Sequence, residues 1–335
     1  MEERTRIAGP VRGRIAGAHP GPGPAVRAHG RPDGWKGVGA VNLKREILHK
    51  VHAVPPLPEV VFKLQKYCND PNVSYAELAK VIEVDPGLTT SLLRLANSAY
   101  FGCEQSIGSV QYAMTRLGLK RVYQIVLAVC VAPMSRTPIR GYDLAPAMLW
   151  QHAIATAMAS EYLAQELGGA DPADAFTAGM LHDMGKIVLG NFVNVDMDKI
   201  RQAMDQGGIP FDEAEREVFG TDHASVAAAL LQRWQIPARI VTAVRYHHHP
   251  SACPDPEPLL DIVHIADVLC RDVGWGMGAD ALFYRFDPTS ATRLALPPDI
   301  AEQTMAEVSI GLEGMMGFFQ TLGAAQGQPA AQPVG

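Results

Sequence analysis

The chain has 335 residues, of which 47 % are hydrophobic and 19 % charged, a composition typical of a globular protein with one large domain or two smaller ones. Its formal net charge is −6, and residues 1–40 carry seven Lys/Arg against three Asp/Glu, which leaves the remainder near −10. This acidic balance argues against broad binding to a nucleic-acid backbone. The five cysteines are widely spaced and form no Cys-x-x-Cys pair, which indicates reduced thiols.

The longest apolar run, residues 125–134, is far shorter than the roughly 20 residues that span a bilayer. The chain also lacks a charged start followed by an apolar signal core. We therefore expect a soluble, cytoplasmic protein with no membrane association.

The two ends of the chain differ in composition from the rest. Residues 1–40 contain nine glycines, five prolines and six arginines without any periodicity, which predicts a disordered basic arm or a translated stretch upstream of the natural start. Residues 324–335 are predicted to be a disordered tail. Between them we predict a helical subdomain at 42–134, a second helical subdomain at 144–273, and a C-terminal loop and helix at 274–323.

Helix signals fill the first predicted subdomain. Asn42 is a candidate N-cap, Ser74 followed by Glu77 forms a capping box, and Asp85-Pro86 places an N-cap before a proline at the first helical position. These signals predict helices over 43–54, 59–70, 75–84, 86–98, 110–118 and 119–131.

A loop rich in Pro, Arg and Gly at 135–143 is the best internal boundary, and longer helices are predicted beyond it. They cover 146–167, 172–191, 196–206, 211–219, 223–234, 237–247, 258–271 and 298–319. Residues 274–287 are predicted to be a loop. Since no segment alternates as a strand does, the expected fold is all-α, with one helical bundle packed on another.

Residues 75–98 have the length and pattern of a helix-turn-helix. Arg94 is the only cation of the second helix, however, whereas DNA reading needs Lys/Arg on the exposed face. A packed helix pair is the favoured interpretation, and DNA binding is kept as a second alternative.

The centre of the 172–191 segment carries His182 and Asp183, which helical periodicity directs towards an apolar interior, and Lys186 lies one turn on. A buried carboxylate needs a cation, a donor network or a metal. Capping and hydrogen bonding within a helical core would also explain His182 and Asp183. The segment alone leaves both interpretations open.

Other histidines and carboxylates lie on apolar helix faces. Seven of the eleven histidines fall between positions 152 and 264, and each taken singly is more often a core or capping residue than a ligand. Together His152, His182, Asp183 and Asp267 supply imidazole and carboxylate groups suited to a divalent ion with open positions. His223, His247 and His248 could serve a second ion, with Asp183 as a bridge.

The order of these residues resembles the HD superfamily of metal-dependent phosphohydrolases, and the wider pattern resembles its HDOD branch, an output domain of bacterial signalling proteins. The resemblance extends from about residue 54 to residue 271. It is carried by VPPLPEVVFKL, DPGLTTSLLRLANSAYFG, SVQYAMTRLG, LWQHAIATA, AFTAGMLHDMGK, FGTDHASVAAALLQRWQIP, HHHP and IVHIADVLC.

The resemblance implies an all-helical, HD-like metal-binding bundle. It assigns His152, His182, Asp183 and Asp267 to a primary metal set, offers His223, His247 and His248 for a second ion, and places Lys186 near a phosphate. Iron, manganese and zinc are the candidate ions. Related cyclic-di-GMP phosphodiesterases carry Gly-Tyr-Pro after the paired histidines, where this chain has Pro250-Ser251-Ala252-Cys253, and some place a glutamate where this chain has Met148. Hydrolysis of cyclic-di-GMP is therefore not expected.

We expect a regulatory signalling protein that binds a divalent metal together with a nucleotide-like ligand or a protein partner. The enzymatic alternative is a metal-dependent phosphohydrolase acting on a nucleotide or phosphodiester. In that case Asp183 would hold the ions and Lys186 would stabilise charge that develops in the reaction.

Overall fold

The computed structural model describes residues 38–324 apart from 69, 71, 99, 102–104, 277 and 279–283, and it describes side chains from residue 43 to residue 315. The described part contains fifteen α-helices and no β-strand, which confirms the all-α class. The helices are α1 Val38–Val51, α2 Glu59–Tyr67, α3 Tyr75–Glu83, α4 Pro86–Ala96, α5 Val110–Leu117, α6 Leu119–Val131, α7 Met148–Leu167, α8 Pro172–Leu181, α9 Gly185–Gly207, α10 Phe211–Phe219, α11 His223–Arg233, α12 Ala238–Tyr246, α13 Pro258–Val273, α14 Pro288–Arg293 and α15 Ile300–Ala324.

Side-chain caps begin several of the early helices as the sequence predicts. Ser74 Oγ accepts the backbone N–H of Glu77 at 3.3 Å, and Asp85 Oδ1 accepts that of Gly87 at 2.8 Å. Such caps satisfy donors that the first turn of a helix leaves unpaired. The apolar stripe of α4 then packs against α6, and α2 packs on the same helix.

The centre of the second half is formed by α7, which packs against α8, α13 and α15. Its alanine-rich face lets α8 approach closely: a Cβ at Gly179 would lie 2.7 Å from the carbonyl oxygen of Thr156 and 2.8 Å from the Cα of Ala157. Glycine at this position therefore sets the spacing between α7 and α8, the helices that carry or precede two of the candidate ligands.

A buried polar cluster joins α6 to α7. The Glu161 carboxylate, on α7, accepts hydrogen bonds from Arg121 Nη1 at 2.5 Å and Gln124 Nε2 at 2.8 Å, both on α6, and from the Tyr100 hydroxyl. The guanidinium of Arg121 also lies 4.7 Å from the centre of the Tyr100 ring. The first helices are thus fixed to the second half by a charged contact as well as by apolar packing.

The predicted helix over 172–191 is wrong at its centre. Helix α8 ends at Leu181, α9 begins at Gly185, and the intervening turn is closed by bonds of i to i−3 type, Met184 N to Leu181 O at 3.2 Å and Lys186 N to Asp183 O at 3.0 Å. Helix α9 then runs through the predicted gap near Asp196, whose φ of −110° and ψ of 20° mark a kink. Helical periodicity alone does not reveal such a tight turn, because its residues keep near-helical dihedral angles.

Helix α14 lies just after the predicted loop and was not predicted. Asp287 caps it by accepting the N–H of Thr289 at 3.0 Å, and Pro288 takes its first position. This is the same Asp-Pro signal that marks the start of α4 at Asp85, so the sequence contained the information for this helix. A short 3-10 turn at Ala132–Ser135 leads into the predicted boundary loop at 135–143, and a second one, Arg140–Tyr142, lies within it.

The ends of the fold differ slightly from the prediction. Helix α1 begins at Val38, so Asn42 lies inside the helix and does not cap it. This helix packs against α9, α10 and α11. The predicted basic arm at 1–40 lies, up to residue 37, outside the described residues, and so does the predicted tail from residue 325 onward. The subdomain boundaries at 42–134 and 144–273 stay predictions.

None of the helices described is both long enough and apolar enough to cross a bilayer.

Candidate metal centre

The fold brings all seven predicted ligands to one place in the second half of the chain. They come from α7, from the turn after α8, from the start of α11, from the residues that follow α12, and from α13. No residue of the set is more than 6 % exposed. The set consists of His152, His182, Asp183, His223, His247, His248 and Asp267.

The first group contains His152, His182 and Asp267, whose ligand atoms all lie within 4.8 Å of one another. Asp267 Oδ1 is 3.1 Å from His152 Nε2 and 3.6 Å from His182 Nε2. Asp183 Oδ2 faces the same two nitrogens, at 3.7 and 3.4 Å. Two imidazoles and two carboxylates therefore surround this position, a donor set suited to a borderline divalent ion.

The second group contains Asp183, His223, His247 and His248, again with ligand atoms within 4.8 Å of one another. Asp183 Oδ1 lies 3.4 Å from His223 Nε2 and 3.9 Å from His247 Nε2. His248 Nε2 lies 2.8 Å from His223 Nε2. Since Oδ2 of Asp183 faces the first group and Oδ1 the second, this single carboxylate lies between the two groups.

The turn that carries Asp183 reaches the second group because of Gly185. A Cβ at this position would lie 1.9 Å from the carbonyl oxygen of His223 and 2.7 Å from the amide nitrogen of Ala227. Only glycine lets the start of α9 approach α11 so closely. The contact holds the turn that carries Asp183 against the helix that carries His223.

Hydrogen bonds orient four of the five histidine rings. Their Nδ1 atoms face acceptors, so Nδ1 carries a hydrogen and Nε2 faces the cluster. The four acceptors are Trp275 O for His152 at 3.1 Å, Gly179 O for His182 at 2.7 Å, Val244 O for His247 at 2.7 Å and Glu215 Oε2 for His223 at 2.8 Å.

The chain does not satisfy these inward-facing atoms by itself. Several of them are buried and have no hydrogen-bond partner among the described residues: His182 Nε2, Asp183 Oδ1, His247 Nε2 and His248 Nδ1. Buried polar atoms without partners are rare in proteins and costly. Lone pairs of imidazoles and a carboxylate that converge in this way fit a divalent cation, and iron, manganese and zinc all accept such donors.

The electrostatics of the cluster keep Asp183 ionised, as a carboxylate must be to bind a metal ion. Burial raises the pKa of Asp183, but Lys186 and His182 outweigh it and hold that pKa well below its ordinary value. Burial lowers the pKa of His182, but Asp183 outweighs it and raises the pKa to about 10. Burial, assisted by neighbouring imidazoles, lowers the pKa of His247 and His248 well below the usual value, so both rings are neutral at pH 7.

Lys186 extends the site beyond the ligands. Its Nζ lies 2.7 Å from Asp183 Oδ2, and it also lies 5.5 Å from the ring centre of Tyr142 and 5.7 Å from that of Tyr284. The predicted proximity of Lys186 to the cluster is therefore present, although the helix is broken between His182 and Lys186. A surface cavity of about 170 Å³ lined partly by His248, Asp212 and His249 leads towards one edge of the centre.

Sequence reasoning missed several residues that support the ligands. Glu215, fully buried on α10, contacts both the ring and the backbone N–H of His223, and it accepts the hydroxyl of Tyr142. Its position could have been found, because Glu215 follows Phe211 by one helical turn and so shares its apolar face. Tyr284, by contrast, lies in a segment without periodicity, yet its ring stacks 4.0 Å from that of His248 at 6°.

The glycines of the 274–287 loop also support the centre. Gly276 has φ of +69°, and a Cβ there would lie 2.7 Å from that of His152 and 2.5 Å from the carbonyl oxygen of Met148. The backbone can therefore pass close to α7, and the neighbouring Trp275 carbonyl accepts from His152. Gly276 thus serves a close approach between this backbone and α7.

Comparison with known proteins agrees with this fold. The sequence profile of the HDOD domain matches residues 54–250. An HDOD domain protein of unknown function from Geobacter sulfurreducens shares 25 % identity and a TM-score of 0.64, covering 85 % of this chain and 96 % of that one. A phosphohydrolase candidate from Shewanella amazonensis shares 24 % identity and a TM-score of 0.61, covering 83 % and 97 %.

Two further relatives are longer, and this chain covers a smaller share of each. A signal-transduction candidate from Marinobacter aquaeolei has 21 % identity and a TM-score of 0.63, covering 85 % of this chain and 69 % of its own. An uncharacterized protein of Treponema pallidum is 27 % identical over 231 residues, which make up 68 % of this chain and 44 % of the relative. This chain thus spans less than half of that relative's length. Because the HDOD profile covers more than half of the chain, this protein belongs to the HDOD family.

Proposed function

We propose that this protein is a regulatory HDOD protein that holds two divalent ions and uses them to bind a phosphate-bearing, nucleotide-like ligand. The ions would lie between α7, the turn after α8, the start of α11, the residues that follow α12, and α13. The observation that carries the proposal is the set of buried imidazole and carboxylate atoms without partners, which converge from separate elements on Asp183. A core histidine that had only a structural role would have its polar atoms satisfied.

The burial of the centre favours a regulatory role. All candidate ligands are nearly inaccessible, and the ring of Tyr284 stacks against His248. A ligand must therefore displace side chains to reach the ions. Such enclosure suits a ligand that stays bound while it is sensed. It is less suited to a substrate that must enter and leave at each turnover.

A metal-dependent phosphohydrolase is the second candidate, and Lys186 favours it. When bound, a divalent ion polarises a phosphoryl oxygen and makes a water more acidic. Asp183 would orient both ions, since its two oxygens face different groups. The ammonium of Lys186, next to Asp183, would stabilise negative charge that develops on a phosphate.

Elemental analysis of the purified protein beside an Asp183→Asn variant tests the proposal. We expect about two transition-metal ions per chain in the wild type and loss of both in the variant, because Asp183 lies between the groups. Circular dichroism checks that the variant remains folded. A folded wild-type protein that takes up no divalent ion from an iron, manganese and zinc panel would contradict the proposal.

Binding and hydrolysis are then measured on the same metal-loaded protein with a panel of nucleotides and a generic phosphodiester. Metal-dependent nucleotide binding without turnover supports the regulatory role. Turnover that disappears in the Asp183→Asn and Lys186→Met variants supports the phosphohydrolase instead. If the protein neither binds nor hydrolyses any of these compounds, the proposed class of ligand is wrong.

A further inference from the structure

Arg271 is a buried cation next to the metal centre. Its hydrogen-bond donors are only partly satisfied by the candidate ligand Asp267. It lies one turn after Asp267 on α13 and is 8 % exposed. Its Nη2 lies 2.9 Å from Asp267 Oδ2, and its Nε donates to the carbonyl oxygen of Asp267 at 3.4 Å. Its Nη1 is buried and has no hydrogen-bond partner among the described residues. A guanidinium carries five N–H donors, so this edge is left available for an acceptor that the described part of the chain does not supply.

A cation–π contact also restrains this guanidinium. Its central carbon lies 4.5 Å from the ring centre of Tyr284, the same ring that stacks 4.0 Å from His248. Lys186 Nζ lies 5.7 Å from that ring centre as well. Arg271 and Lys186 therefore both border Tyr284 beside the second metal group. Since a stacked and paired guanidinium has little freedom, the direction of Nη1 is set before any ligand binds.

Charge balance identifies what would complete the site. Asp183 pairs with Lys186 at 2.7 Å and Asp267 pairs with Arg271 at 2.9 Å, so these four charges cancel. Each divalent ion bound between these two ion pairs would then add two uncompensated positive charges to a buried volume. Buried charge of one sign is costly, and an anionic ligand is the direct way to offset it.

We propose that Arg271 and Lys186 bind a doubly charged tetrahedral oxyanion at the metal-loaded centre, so that the ligand carries a terminal phosphomonoester and not an internal phosphodiester. This inference rests on the proposed function. A phosphomonoester brings two negative charges near neutral pH and three oxygens, which can accept from Nη1 while others face the ions. A diester brings one charge and two free oxygens and leaves more of the positive charge unbalanced.

Calorimetric titration of the metal-loaded protein with inorganic phosphate at pH 8, and separately with dimethyl phosphate, tests the inference. The informative variant is Arg271→Lys, because a lysine can still pair with Asp267 but lacks the Nη1 donor. The matched control is Arg201→Lys, at an exposed position of α9. Metal content is measured for each protein before titration.

We expect phosphate to bind the wild type and Arg201→Lys equally, and to bind Arg271→Lys about tenfold to a hundredfold more weakly with the metal content unchanged. Dimethyl phosphate should bind the wild type at least tenfold more weakly than phosphate. Equal phosphate affinity in Arg271→Lys and the wild type would overturn the inference, and so would equal affinity for the two anions. Loss of metal from Arg271→Lys would overturn it by showing that Arg271 only positions Asp267. A wild type that takes up no metal overturns the proposed function, and this inference with it.

Discussion

Glu215 binds His223 through two separate contacts: its Oε2 lies 2.8 Å from Nδ1 of the ring and 2.9 Å from the backbone nitrogen. The carboxylate therefore fixes both the rotation of the imidazole and the start of the helix that carries it. Burial raises the pKa of Glu215, while the contacts to His223 and Tyr142 oppose this shift. Supporting carboxylates of this kind orient a ligand and increase its basicity.

The Glu215→Gln variant is expected to weaken metal binding at the second group about tenfold to a hundredfold, because the amide cannot supply the same charge to His223. Competition with a coloured metal chelator measures the affinity. Glu217→Gln, at an exposed position of the same helix, is the control and should leave it unchanged. Equal metal affinity in the two variants would show that His223 is not an ion ligand.

The geometry predicts separable losses of metal. His152→Gln should remove the ion of the first group and His247→Gln that of the second, each leaving about one ion per chain, since the two histidines belong to different groups. Mass spectrometry of the dialysed proteins counts the ions. His49→Gln, on the exposed face of α1, should keep both. Loss of both ions from either single variant would argue against independent positions.

Gly185→Ala should destabilise the fold, although alanine normally favours a helix over glycine by about 1 kcal/mol. The added Cβ would lie 1.9 Å from the carbonyl oxygen of His223, a backbone atom that cannot move aside. We expect a loss of about 1–3 kcal/mol in the free energy of unfolding, measured by urea titration. Gly207→Ala, whose Cβ would meet only the flexible Ile209 side chain at 3.3 Å, should be neutral or slightly stabilising. If both substitutions lowered the free energy of unfolding, or both raised it, the close contact at Gly185 would be contradicted.

The buried pair between Arg121 and Glu161 should contribute more to stability than an exposed pair of similar length. Glu161→Gln leaves the guanidinium without its counter-charge, and we expect a loss of about 2–4 kcal/mol, moderated because the Arg121 side chain is 26 % exposed. Glu59→Gln removes the partner of Lys63, which lies 2.9 Å away. The side chains of Glu59 and Lys63 are 79 % and 42 % exposed, respectively. That loss should be about 0.5 kcal/mol or less by the same unfolding measurement. Equal losses would mean that solvent screens the buried pair as well.

Two thiols should react slowly with alkylating agents. Burial raises the pKa of Cys68 to about 11 and that of Cys130 to about 12. Only the thiolate reacts, so at pH 8 iodoacetamide should modify Cys68 about two hundredfold and Cys130 about two thousandfold more slowly than a free thiol of pKa about 8.5. The rate should rise about tenfold for each unit of pH below the pKa. Peptide mass spectrometry follows each cysteine, and modification as fast as a free thiol would contradict the burial.

The sequence determined most of the helices and their starting points. Asp85 and Ser74 cap as predicted because capping depends on residues only two or three positions away. The family also followed from local segments, and the profile match from residue 54 to residue 250 confirms it. The histidines and carboxylates proposed from apolar faces do converge, because a buried polar side chain on such a face has few places to point other than the core.

Tertiary structure decided which atoms meet. The two oxygens of Asp183 face different groups because α8 ends one residue before His182 and a tight turn, held to α11 at Gly185, replaces the continuous helix that periodicity predicted. Glu215 and Arg271 join the centre through contacts between helices that are distant in the sequence. Residue spacing along one helix fixes the face a side chain occupies, but the packing of separate helices sets the distances between side chains, and those distances define a site for an ion or an anion.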